Sequence, residues 1–142
     1  MANASAILAV QEAIVTRLEA DATLQGLASF IGGYEPEIPP ENFIVIGNAT
    51  EMAWHTLGGT NQGLGWETTI TVHCISYYKG DLPALRMLHR VTELLSFYEL
   101  TVSGYSTVIC EYGEKLTKVL IETKGKVDRR HIPAVFTVRV HA

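Results

Sequence analysis

Apolar residues recur at three- and four-residue intervals from Ile7 through Val10 and Ile14 to Leu18, with Glu12, Thr16 and Glu19 between them. That spacing predicts a helix over residues 5–20, with Ser5 placed to cap its start. Leu8 and Val15 lie about 90° around the wheel from the stripe, so apolar surface extends beyond a single core face. This flank has two readings, contact with another subunit or a broad intramolecular stripe. Asp21 then opens a short turn through Leu24 and Leu27, ended by Gly32-Gly33.

Pro39-Pro40 opens an extended segment, Phe43 to Ile46 reads as a buried strand, and polar, glycine-punctuated residues follow as far as Trp66. The connection is too long for a hairpin turn and predicts a contact loop over residues 51–65. From Trp66 to Tyr78 the chain alternates with period two. Thr68, Ile70, Val72 and Cys74 fall on one face, and Glu67, Thr69, Thr71 and His73 on the other. Lys79-Gly80-Asp81 ends that strand, and Asp81 caps a second helix with Pro83 in its first turn. Its expected buried stripe is Leu85, Leu88, Val91, Leu95 and Tyr98, widened by Met87 and Leu94, with Arg86, His89, Arg90 and Glu93 opposite. Three further strands are expected over residues 107–112, 116–123 and 132–140, with Gly113-Glu114 and Lys124-Gly125 as turns. The order predicts one α+β domain over residues 1–142, a mixed, mostly antiparallel β-sheet with two main helices packed on one face.

Composition narrows the function. At 142 residues and 47% hydrophobic content the chain has material for one core and is too short for two sizeable domains. Its 11 Lys and Arg against 15 Asp and Glu give a formal charge of −4, which argues against specific nucleic-acid binding. Cys74 and Cys110 sit in apolar strand-like runs, where reduced buried thiols are usual, so a reducing, cytosolic setting is expected. No basic leader or membrane-length apolar run is present, and no membrane role is expected.

Candidate chemistry is sparse. Histidines at 55, 73, 89, 131 and 141 lack helical zinc spacing, and the cysteines lack ribbon spacing. His73 and Cys74 are adjacent on a strand and point to opposite faces, so they cannot act as base and nucleophile. Gly58-Gly59 is followed by a strand rather than by Lys-Ser/Thr and a helix, which excludes a P-loop. No catalytic residue, cofactor or metal is expected. Trp54 and Trp66 bracket the glycine-rich loop as interface anchors or as core plugs. Tyr34-Glu35-Pro36-Glu37 reads as a solvated loop. Basic charge gathers in Lys115, Lys118, Lys124, Lys126, Arg129 and Arg130, either a solvated turn or a docking arm for an acidic surface.

The order of these motifs resembles the tail-terminator, or tail-completion, proteins of long-tailed bacteriophages and prophages. The resemblance is carried by the N-terminal helix, Pro-Pro before Phe43-Ile44-Val45-Ile46-Gly47, Glu51 with Trp54-His55-Thr56, the Thr69–Tyr78 strand, the Asp81-capped helix, and Arg130-His131 with Phe136-Thr137-Val138-Arg139. It implies a non-enzymatic virion protein, assembled in the host cytoplasm, that forms a hexameric ring, caps the tail tube, ends its polymerisation and receives the head connector. The implied partners are further copies of the chain, the tail tube protein and a head-completion or connector protein, with DNA passing the ring unread. On that reading Leu8, Val15, Trp54, His55, Trp66, Lys124, Lys126, Arg129 and Arg130 are candidate contact residues. Two alternatives stay open: another neck component such as a head–tail adaptor, or a small enzymatic or ligand-binding domain with a pocket beside Trp54, Trp66 and His73.

Overall fold

The computed structural model describes residues 5–55, 64–113, 117–125 and 127–141. In chain order the elements are α1 (Ile7–Glu19), α2 (Ala22–Leu27), β1 (Phe30–Gly32), β2 (Asn42–His55), β3 (Leu64–Ser76), α3 (Leu82–Leu95), β4 (Ser106–Tyr112), β5 (Leu120–Lys124) and β6 (Val127–His141). They build a six-stranded sheet in the order β1-β2-β3-β6-β4, with β5 beside β6. Only β1 runs parallel to its neighbour among the described strands; the other pairs are antiparallel. This is the expected α+β architecture.

The core lies between the helices and one face of the sheet. Val10, Ile14 and Leu18 of α1 and Met87, Val91 and Leu95 of α3 are buried against Ile44, Ile46, Ile70, Val72, Ile132 and Phe136. Each such side chain contributes about 2 kcal/mol by leaving water. The period-two patterns of β3 and β6 follow directly, with Thr68, Ile70, Val72, Cys74 and Ser76 buried beside Ile132, Ala134, Phe136, Val138 and Val140. Both thiols are free and buried, and burial pushes Cys74 and Cys110 up to about 12.

Four expectations are corrected. Residues 51–55 and 64–65 are strand, not loop: β2 and β3 form a hairpin paired from Asn42↔Ser76 to His55↔Leu64. Cross-strand pairing with β3 carries the chain through a stretch whose own composition reads as loop. The stripe on α3 is Ala84, Met87, Val91, Leu94 and Leu95, while Leu85 is 41% and Tyr98 38% exposed. The small Ala84 lets the start of the helix sit close to the sheet, which turns Leu85 outward. Asp81 does not cap α3 through its side chain, because its Oδ1 accepts Arg130 Nε at 2.8 Å. Ser5 is not the N-cap residue of α1 either; Ala6 occupies that position, and the Ser5 hydroxyl accepts Ile7 N at 3.4 Å while donating to a carboxylate from β2. Asp21 does cap α2, accepting Leu24 N at 2.8 Å, and also receives Arg90 through Nε and Nη2 at 2.8 and 2.6 Å. That two-point ion pair fastens α2 to α3 and holds the Asp21 carboxyl down at about 2.

Candidate functional site

A bulge in β2 organises both faces of the sheet. Gly47 pairs with Thr71 and Thr50 with Thr69, so Asn48 and Ala49 stand opposite a single residue of β3, and Asn48 takes φ 53°. Asparagine tolerates that left-handed backbone better than most side chains. Before the bulge the even residues Ile44 and Ile46 face the helices; after it the alternation is inverted. Glu51 therefore reaches the start of α1, accepting Ala6 N at 2.7 Å on Oε1 and the Ser5 hydroxyl at 2.8 Å on Oε2. A carboxylate at a helix N-terminus is favoured both by the free N–H groups and by the helix dipole.

On the helix-free face a polar chain crosses four strands. Asn48 Nδ2 lies 3.2 Å from His73 Nε2, His73 Nδ1 2.6 Å from His131 Nε2, and His131 Nδ1 2.9 Å from Glu122 Oε2. With His73 neutral and protonated on Nδ1, it accepts from Asn48 on Nε2 and donates to His131 Nε2, while His131 Nδ1–H donates to Glu122. Burial and then the neighbouring His131 hold His73 down at about 4. Burial works to raise Glu122, but hydrogen bonds from His131 and Arg129 outweigh it and keep the carboxyl below its ordinary value. Arg129 continues the chain, donating from Nε to Glu122 at 2.9 Å and from Nη1 to Glu35 at 3.0 Å. Further along β6, Arg139 bridges Glu67 and Glu111 at 3.0 and 2.9 Å. Each histidine is occupied by its neighbours, and Cys74 lies on the other face of the sheet. The arrangement ties strands together rather than presenting a base to a substrate. Among the described residues no group of three or more His, Cys, Asp or Glu could hold a metal ion.

The residues singled out from the sequence do not form one site. Leu8 is 68% exposed, whereas Val15 is half-buried and packs on the core; with Gln11, Glu12 and Thr16 they border a shallow groove of about 360 Å³. Trp66 packs against the core, and its Nε1 finds no hydrogen-bond partner among the described residues. Trp66 and His73 lie on opposite faces of β3, so a shared pocket beside them does not exist. Trp54 and His55 end β2 opposite Gly65 and Leu64, and Lys124 ends β5 opposite Val127. Lys126 and loop residues 56–63 lie outside the described residues. The Arg129 and Arg130 side chains are only 12% and 17% exposed, each held within the protomer, Arg130 by Asp81 and the Lys79 carbonyl.

Register places the two hairpin ends far apart. Because β3 pairs with β6 from Ser76↔Arg130 to Gly65↔His141, the β2–β3 hairpin ends at one end of the sheet and the β5–β6 hairpin at the other. Superposition on known structures matches this whole arrangement to a chain from the virion of a native gene transfer agent particle, with TM-score 0.79 over 97% of this chain and 98% of that chain. The chain shares its fold with that virion chain. Sequence identity in that pair is 20%. The bacteriophage SPP1 gp17 protein has TM-score 0.58 at 22% identity, over 92% of this chain and 88% of that chain. No family model and no curated protein sequence matches the chain.

Sequence reasoning read Asp21 as the opening of a turn, Glu35 as part of a solvated loop and Glu51 as part of the contact loop, and missed that each pairs with a group far along the chain. The bulge at Gly47-Asn48 was the one local signal, since Asn after Gly is turn or bulge chemistry.

Proposed function

We propose that this chain is a structural, non-enzymatic protein of a tailed-phage-type particle. It acts as a tail terminator, closing the tail tube as a homo-oligomeric ring of six copies and offering the head connector a docking face. The observation that carries the reading is the near end-to-end match, 97% of one chain on 98% of the other, to a virion chain. The motif order that resembles the tail-terminator family points the same way. The hairpin geometry supplies a mechanism: ends at opposite limits of the sheet let one reach the tube and the other the connector. In this ring Leu8, Val15, Trp54, His55, Trp66 and the β5–β6 hairpin with Lys124 and Lys126 supply contacts. Arg129 and Arg130 act indirectly, by holding the hairpin and the 33–41 loop in place.

The test is removal of the protein from an assembling particle system, with tails measured by electron microscopy. The reading predicts tubes of uncontrolled length that fail to join heads. Tails of normal length joined to heads contradict it.

A further inference from the structure

The loop between β1 and β2 presents one side chain almost entirely to water: Ile38 is 90% exposed. It is flanked by Pro36, Pro39 and Pro40, whose fixed φ angles stiffen the segment, and Glu35 anchors the loop to Arg129 at 3.0 Å. A rigid, isolated apolar side chain loses little entropy on docking. Beside it stands Glu37, exposed and with no charged partner among the described residues.

The helix face carries a complementary feature. Leu27 of α2 and Leu82 and Leu85 of α3 line a groove of about 390 Å³, and Leu82 and Leu85 are 55% and 41% exposed. Charges on its rim are largely neutralised internally, Arg90 pairing with Asp21 at 2.6 Å and with Glu93 at 3.6 Å. Arg86 is the exception, having no opposite charge beside it among the described residues. The knob thus carries an unpaired negative charge and the groove an unpaired positive one.

Both features lie at the same end of the sheet. The loop leads into Asn42, opposite Ser76, and α3 starts just beyond Ser76. The loop is fastened to the helix-free face, through Arg129, and the groove belongs to the helix layer on the other face. Different patches on opposite faces at one level give a heterologous contact between copies that remain level with one another. Such a head-to-tail contact generates a ring where its rotation closes and an open filament where it does not.

We infer that Ile38 of one copy docks into the Leu27–Leu82–Leu85 groove of the next, with Glu37 meeting Arg86. The inference rests on the ring reading above, and its test separates the two. Ile38→Cys and Leu85→Cys are combined in one chain and oxidised mildly, the native thiols being buried and unreactive. The expected result is a ladder of covalent oligomers on a non-reducing gel, with each single variant remaining monomeric. Both changes are at exposed positions, and circular dichroism verifies the fold. In parallel, Arg86→Glu weakens association about tenfold, and adding Glu37→Arg restores it. A double-cysteine chain that stays monomeric on the gel, while the unmodified protein sediments as an oligomer, overturns this contact and leaves the ring standing. Unchanged association in Arg86→Glu overturns it as well. An unmodified protein that sediments as a monomer both alone and with tail tubes overturns the ring and the contact together.

Discussion

Glu51 accepts the backbone amide of Ala6 at 2.7 Å, so a carboxylate in the second strand performs the capping of the first helix across 45 positions of sequence. Removing it leaves the Ala6 N–H without its partner. Glu51→Ala is expected to lower unfolding free energy by about 1–2 kcal/mol, measured by urea denaturation. Ser5→Ala removes the hydroxyl that donates to Glu51 and accepts Ile7 N at 3.4 Å but leaves the Ala6 bond, and should cost less. Equal and negligible effects from both would show that the helix start does not depend on β2.

Arg129 is the largely covered tie between β6, β5 and the loop that carries Ile38. Arg129→Ala leaves Glu35 and Glu122 without their shared cation and is expected to cost about 2 kcal/mol in denaturant titrations. Limited proteolysis should then cut within residues 33–41 faster than in the unmodified chain. A stable variant with an unchanged cleavage pattern would remove Arg129 as the anchor.

His73 gives the fold a defined acid sensitivity. Its folded value of about 4 lies below the ordinary 6.5, so the unfolded chain takes up the proton first. The contribution of neutral His73 to stability is complete above about pH 6.5 and is lost as pH falls toward about 4. His73→Gln removes that titration, and its melting temperature should fall less steeply over this window than that of the unmodified protein. Parallel curves would contradict the neutral assignment.

Much of the fold was legible because its signals are local. The stripe Val10, Ile14 and Leu18 and the alternation of β3 and β6 each follow from periodicities that a core imposes on its own element. What escaped depends on partners distant in sequence. Three residues of β1 are too few to show alternation, and the far half of β2 is strand because β3 pairs with it. On α3 two apolar stripes overlap, and packing on the sheet selects Ala84 over Leu85, while the helix ends at Leu95, short of Tyr98. The arginines of the last hairpin read as free charge because their carboxylates, Glu35 and Asp81, lie elsewhere in the sequence. Ile38 could be read as exposed only once the proline-bounded loop had a place.

The central claim is a ring that recognises a finished tail tube. Light scattering of the purified protein, alone and after incubation with tail tubes, tests it most directly. The account predicts a single oligomer of defined copy number, six, either free in solution or formed at the tube end. A monodisperse monomer that leaves the tubes unbound would contradict it.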